Sequence, residues 1–148
     1  MFKHILVATD GSRLSDKAVD MAIRLAAKLG ARLTGFHVTE DYPVTAFPEY
    51  AIAYAGLTME DWNAGQEKRA RRILDRVAAR AGKAGVACDT AFRLAVHPYE
   101  AIVEQARKRR CDLIVMASHG RRGLQGLVLG SETNKVLTHG KVPVLVCR

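Results

Sequence analysis

Met116-Ala117-Ser118-His119-Gly120, with Gly130-Ser131 nine residues further on, is the stretch from which the fold can be read. Immediately before it, Cys111-Asp112-Leu113-Ile114-Val115-Met116 is an almost unbroken apolar run, the pattern of a strand buried on both faces of a parallel sheet. After it, Ser131 opens a segment with apolar residues at Val136 and Leu137 that stops at Gly140. The order is strand, glycine-rich loop, helix. Such a loop lies at the carboxyl end of its strand, and the first amides of the helix point outward with partial positive charge because they have no acceptor within it. Phosphate is the natural guest. Gly120, Gly123 and Gly126 permit backbone approaches that a Cβ would obstruct. The same glycines suit a flexible turn equally well, so the loop alone leaves both readings open.

Outward from this stretch, the remaining elements fall into a repeating order. His4-Ile5-Leu6-Val7-Ala8 is a first buried strand, ending at Thr9-Asp10-Gly11-Ser12. A helix follows, with Ser15 as the expected cap, Ala18, Val19, Ala22, Ile23, Ala26 and Leu29 at helical spacing, and Gly30 as a left-handed stop. Ala31 to Val38 gives a second strand, so the opening forty residues form a β-α-β crossover, right-handed and with parallel strands. From Thr39 to Leu57 the periodicity fails. That segment carries Tyr42, Phe47, Tyr50 and Tyr54 with Pro43 and Pro48; a connection of this length is either a functional lid or partner surface, or an apolar cover over the sheet.

Thr58 with Asp61 has the form of a capping box, and Ala70, Ile73, Leu74, Val77 and Ala81 continue a helix that Gly82 and Gly85 break. Val86 to Leu94 alternates as a strand with one wetter face, which suits a sheet edge. His97-Pro98 begins the next helix, with proline at its first position and Ala101, Ile102, Val103 and Ala106 facing inward. His97 reads as a local hydrogen-bonding residue, a ligand role being the alternative. Pro143-Val144-Leu145-Val146 is a fifth strand.

This alternation predicts an α/β fold: an open five-stranded parallel sheet with helices on both faces, Rossmann-like. Ligands of such sheets bind outside the carboxyl ends of the strands, where the strand order reverses. With the first strand beside the fourth, Asp10 and the loop from Gly120 to Ser131 face one another there.

A chain of 148 residues can bury one full core and is short for two; residues 1–148 are read as a single domain. Although 49% of the residues are apolar, no run approaches the roughly 20 needed to span a bilayer, and the N-terminus lacks the pattern of a secretory leader. A soluble, cytoplasmic protein with no membrane association is expected. Cys88, Cys111 and Cys147 match neither a metal-ligand spacing nor a disulfide framework and read as reduced, mostly buried thiols. The formal charge of +8 attracts polyanions in general. Much of it sits in Lys68-Arg69, Arg71-Arg72 and Arg107-Lys108-Arg109-Arg110, at helical spacing or in a helix's last turn, where a solvated helix surface explains it. With no aromatic interleaving and no groove-reading motif, nucleic acid is not the expected partner.

Ile5-Leu6-Val7-Ala8-Thr9-Asp10-Gly11-Ser12, Phe36-His37-Val38, Asp112-Leu113-Ile114-Val115-Met116, the loop with Gly130-Ser131, and Val142-Pro143-Val144-Leu145-Val146 together resemble the universal stress protein family, of the ATP-binding type, over essentially the whole chain. The resemblance implies strand order 3-2-1-4-5, an ATP site at the junction of strands one and four, and a homodimer built on the C-terminal edge strand through Val142, Val144 and Val146. The family's loop has a glycine, two residues, a second glycine, nine residues, then glycine and serine or threonine. Here Ala117 stands at the first glycine position, and its methyl group either crowds a nucleotide or merely shifts it.

On this resemblance the Asp10 carboxylate accepts hydrogen bonds from ribose hydroxyls, and the backbone of Ala8, Thr9 and Val38 lines an adenine slot. Met116 and Ala117 lead into the cradle, where Gly120 and Gly130 let amides approach phosphate oxygens and the hydroxyls of Ser131 and Thr133 complete the site. Arg121 and Arg122 either close over the phosphates or stay solvated. Glu132 repels a triphosphate unless it points away or helps to hold a divalent cation. ATP, with magnesium, is the expected ligand; no catalytic residue and no metal site on the protein itself is assigned.

The function expected is that of a homodimeric, nucleotide-responsive regulatory protein in stress response. One alternative is a slow ATP-hydrolysing enzyme on the same site, against which stand the lack of a Walker loop and of a water-positioning base. Another is a module that dimerises without nucleotide. A receiver domain is disfavoured because the third strand ends at Arg93-Leu94-Ala95 without an acceptor aspartate, and a dehydrogenase because its glycines belong after the first strand.

Overall fold

The expected strands form one parallel sheet. Its members are β1 (His4–Ala8), β2 (Arg32–Thr39), β3 (Cys88–Leu94), β4 (Leu113–Ala117) and β5 (Val144–Cys147), arranged β3-β2-β1-β4-β5. The helices between them are α1 (Arg13–Leu29), α2 (Met59–Lys83), α3 (Pro98–Lys108) and α4 (Ser131–His139). The computed structural model describes residues 1–39, 56, 58–120 and 129–148. The aromatic segment from Tyr42 to Tyr54, and Arg121, Arg122, Gly123 and Gly126 of the loop, lie outside the described residues.

Strand periodicity divides the core in two. Ile5 and Val7 of β1, with Leu113, Val115 and Ala117 of β4, point to one face, where Ala18, Val19, Ala22 and Ala26 of α1 and Val77 and Ala81 of α2 cover them. Leu6, Ile114 and Met116 point to the other, against Ala101, Ile102 and Ala106 of α3 and Val136 of α4. This alternation is why the central strands read as continuous apolar runs: each successive side chain enters a different core. Each large aliphatic side chain so withdrawn from water contributes about 1.5–3 kcal/mol. At the edge, β3 pairs with β2 alone and has no fully buried residue, which accounts for its wetter pattern.

The element boundaries differ from expectation at several points, each for a local reason. Ser12, not Ser15, caps α1; its side chain accepts from the Ser15 amide at 3.2 Å. Ser15 lies inside the helix, buried, where its hydroxyl donates to the Ser12 carbonyl at 2.9 Å. The capping box of α2 is complete, the Thr58 side chain meeting the Asp61 amide and the Asp61 side chain the Thr58 amide. Gly82 does not break α2, which runs on to Lys83; the stop comes at Gly85, in the left-handed region at φ 70°. In α4, Val136 is fully buried but Leu137 is 42% exposed, so the apolar face of that short helix is narrower than its sequence suggests.

Candidate functional site

β1 ends at Ala8 and the chain must turn at once into α1. The Ser12 amide donates to Asp10 Oδ1 at 2.9 Å and the Gly11 amide to Thr9 Oγ1 at 3.2 Å, while Thr9 Oγ1 and Ser15 Oγ lie 2.9 Å apart. Gly11 takes φ 78°, and a Cβ there would meet Ile73 Cδ1 of α2 at 2.9 Å. Only glycine satisfies both the torsion and the contact. The turn is also braced from β2, where His37 Nδ1 lies 2.7 Å from the Thr9 carbonyl oxygen. A carbonyl only accepts, so the proton is on Nδ1. Burial holds the His37 pKa below its ordinary 6.5, Arg69 adding to the depression while the Thr9 carbonyl and the Asp10 carboxylate oppose it.

The second half of the site starts where β4 ends. Gly130 is the N-cap of α4, with extended torsions of φ −68° and ψ 156° and no side-chain cap. Its amide donates to the Ser118 carbonyl at 2.7 Å, closing the loop back onto the strand end. A Cβ on Gly130 would stand 3.1 Å from the Ser118 carbonyl oxygen and 3.3 Å from His119 Cα. One on Gly120 would stand 3.1 Å from Asp10 Oδ2. The two halves foreseen at the strand ends therefore lie beside one another, with Asp10 of β1's turn close to Gly120 at the end of β4. The first amides of α4, from Ser131 to Thr133, point from this edge with the positive end of the helix dipole behind them.

Several site residues take parts other than those expected. Ala117 is 6% exposed, with its side chain in the core on the α1 face, so its methyl is turned away from the face that carries α4. The Ala117 carbonyl accepts from Thr133 Oγ1 at 3.0 Å; Thr133 is buried, and its hydroxyl ties α4 to β4 in place of reaching outward. Glu132 also turns away. Its Oε2 accepts from the Tyr99 amide at 2.9 Å and its Oε1 from Lys135 Nζ at 3.0 Å. It thereby supplies the cap that His97, the N-cap of α3, does not provide with its own side chain. Ala8 ends β1 and Val38 is the last but one residue of β2, and Met116 is buried in the α3–α4 core. The His97 ring lies 6.2 Å from that of Tyr99.

Three arginines join this region that the sequence reading assigned to a solvated helix face or passed over. Arg69, Arg72 and Arg76 of α2, with Ile73, line a cleft of about 180 Å³ against Asp10 and Gly11. Their spacing of three and four residues was the available signal. In His119, Nδ1 lies 3.0 Å from Ser118 Oγ, and Nε2 is buried without a hydrogen-bond partner among the described residues. Among the described residues no group of three or more His, Cys, Asp or Glu side chains is placed to hold a metal ion, and no helix is long and apolar enough to cross a membrane. The three cysteines are free thiols. Burial pushes Cys88 and Cys147 up, and Cys111 to about 11.

Comparison with known proteins agrees with this fold. The chain is similar over its full length to universal stress protein YxiE of Bacillus subtilis, at 34% identity covering 100% of both chains. Among solved structures, hypothetical protein MJ0577 superposes with a TM-score of 0.83 at 23% identity, covering 99% of this chain and 96% of that one, which establishes the fold. A universal stress protein in complex with cAMP is 29% identical, with a TM-score of 0.66 and coverage of 98% and 95%. The model of the universal stress protein family matches residues 1–148. This chain belongs to the universal stress protein family.

Proposed function

We propose that the protein is a homodimeric ATP-binding regulator, with the nucleotide lying across the ends of β1 and β4. The observation that carries this reading is the closeness of Asp10 to Gly120 at the reversal of strand order, beside the open first turn of α4. Asp10 accepts from the ribose hydroxyls, and the backbone of Ala8, Thr9 and Val38 lines the adenine slot. The amides around Gly120, Gly130, Ser131, Glu132 and Thr133 receive the phosphates, with the Ser131 hydroxyl beside them. Magnesium enters with the nucleotide, held chiefly by phosphate oxygens and water.

The placement of the two sequence features that argued against nucleotide supports the reading. The Ala117 methyl lies in the core, and the Glu132 carboxylate is spent on Tyr99 and Lys135. The cAMP complex of a 29% identical family member supports an adenine nucleotide as ligand. For the dimer, the support is that β5 is an edge strand with Leu145 37% exposed, an open ladder that a second copy can pair with. Calorimetric titration with ATP and magnesium tests the reading. Saturable binding at or below millimolar nucleotide, weakened in Asp10→Ala, is expected; no binding to the wild-type protein at that concentration rejects it.

A further inference from the structure

Among the described residues some arginines have a carboxylate partner and others do not. Arg71 pairs with Glu67, Arg80 with Asp16 and Asp20, and Arg93 with Glu104. Arg69, Arg72 and Arg76 have no carboxylate partner among the described residues. They nevertheless share one face of α2, three and four residues apart, where like charges repel. Together with Asp10, Gly11 and Ile73 they line the cleft of about 180 Å³. Ile73 lies against Gly11 at its floor. An exposed row of cations with one carboxylate at its edge is an arrangement that a bound anion completes.

Position gives that anion a chemistry. α2 covers the same face of the sheet as α1, whereas α4 covers the opposite face. Both reach the same edge, and Asp10 stands between them, against Gly120 on one side and the arginine cleft on the other. In the nucleotide pose proposed above, with the ribose on Asp10 and the 5′ phosphate in the cradle, the 2′ and 3′ oxygens are the ones that face the carboxylate and the arginines beyond it. We propose that the cleft is a second anion subsite, which takes a phosphate carried on the ribose 2′ or 3′ oxygen of a nucleotide whose 5′ phosphate occupies the cradle. The remaining hydroxyl is left to Asp10. Guanidinium groups suit this task because their paired N–H donors match two phosphate oxygens at once. The inference rests on the reading of Asp10 and the cradle as a nucleotide site.

Titration of the protein with adenosine 5′-monophosphate and with adenosine 2′,5′-bisphosphate and adenosine 3′,5′-bisphosphate, in matched salt, tests it. At least one bisphosphate is expected to bind about tenfold more tightly or better than the monophosphate, with the gap narrowing as salt is raised. Combining Arg69→Gln, Arg72→Gln and Arg76→Gln, all at exposed positions, should bring the ratio to about one. Equal affinities in the wild-type protein, or a preference that survives the triple substitution, overturn the proposal. If none of these nucleotides binds, the cradle reading fails with it, and inorganic pyrophosphate then examines the cleft alone. Saturable shifts of the Arg69, Arg72 and Arg76 Nε–Hε resonances on adding pyrophosphate support an anion site there; unmoved resonances overturn it.

Discussion

Asp10 and Gly120 lie so close at the ends of the neighbouring strands β1 and β4 that a methyl group on Gly120 would stand 3.1 Å from Asp10 Oδ2. The carboxylate is already held by the Ser12 amide through its other oxygen, so it has little freedom to retreat. Gly120→Ala is therefore expected to weaken ATP binding roughly tenfold, equivalent to about 1.4 kcal/mol, while the melting temperature stays close to that of the wild type. Calorimetry and thermal melts on the same preparation separate the two effects. Unchanged affinity would remove Gly120 from the site.

Gly130 is confined by backbone, not by a side chain. Its added methyl would meet the Ser118 carbonyl oxygen at 3.1 Å and His119 Cα at 3.3 Å, atoms that move only if the end of β4 moves. Gly130→Ala should cost about 1–3 kcal/mol of stability. Gly65 of α2 is the control, since nothing lies within 4 Å of its Cβ position; Gly65→Ala should stabilise by about 0.5–1 kcal/mol. Urea denaturation curves of both variants decide the matter, and equal midpoints would contradict it.

Thr133 carries a buried hydroxyl whose acceptor is the Ala117 carbonyl. Thr133→Val keeps the shape but leaves that carbonyl without its partner, at an expected cost of about 1–3 kcal/mol. Thr133→Ser, which retains the hydroxyl, should lose much less. A serine variant as unstable as the valine variant would show that the methyl, and not the hydrogen bond, matters.

Two buried histidines set an acid limit. Burial depresses the pKa of both His37 and His4, which stay neutral in the folded chain while the unfolded chain titrates near the ordinary 6.5. The unfolded state then binds more protons below that value, so the stability they confer is complete above about pH 6.5 and is lost as pH falls toward the depressed native values. The melting temperature should decline from pH 7 to pH 5. In His37→Gln, whose amide can still donate to Thr9, that decline should be shallower; an identical slope would rule His37 out as its source.

At the other edge of the sheet, charge on β5 should oppose pairing between copies. Sedimentation of the wild-type protein is expected to give twice the 16.2 kDa chain mass, and Leu145→Lys to give a monomer with an unchanged circular dichroism spectrum. A dimer that persists in Leu145→Lys would place the interface elsewhere.

Much of the fold was legible because the chain's strongest signals are local. Apolar runs at Ile5 to Val7 and Leu113 to Met116 are what double burial demands, and Thr58 with Asp61, or Gly30 at the end of α1, mark helix ends by short-range chemistry. The site was legible as to which residues meet, since strand order alone brings Asp10 to Gly120. What those residues do with their side chains was less so. Ala117 and Glu132 looked like obstacles because a sequence shows a residue's type and not its direction. The partner of Glu132 is 33 positions away at Tyr99, and the Ala117 methyl follows the strand's alternation into the core. Arg69 and Arg72 were read as a solvated face, and Arg76 was passed over, for the same reason: the packing of α2 against the β1 turn, with Ile73 beside Gly11, brings that face to Asp10.

The bond from the Tyr99 amide to Glu132 has one more consequence, for the order in which the molecule is made. The start of α3 has no cap in its own stretch of sequence, and the group that completes it arrives 33 residues later. During synthesis from the N-terminus, the first turn of α3 must remain frayed after α1, β1 and β2 are free to assemble. A nascent chain halted before residue 131 should exchange its Tyr99 amide rapidly with solvent, and one carried through α4 should protect it.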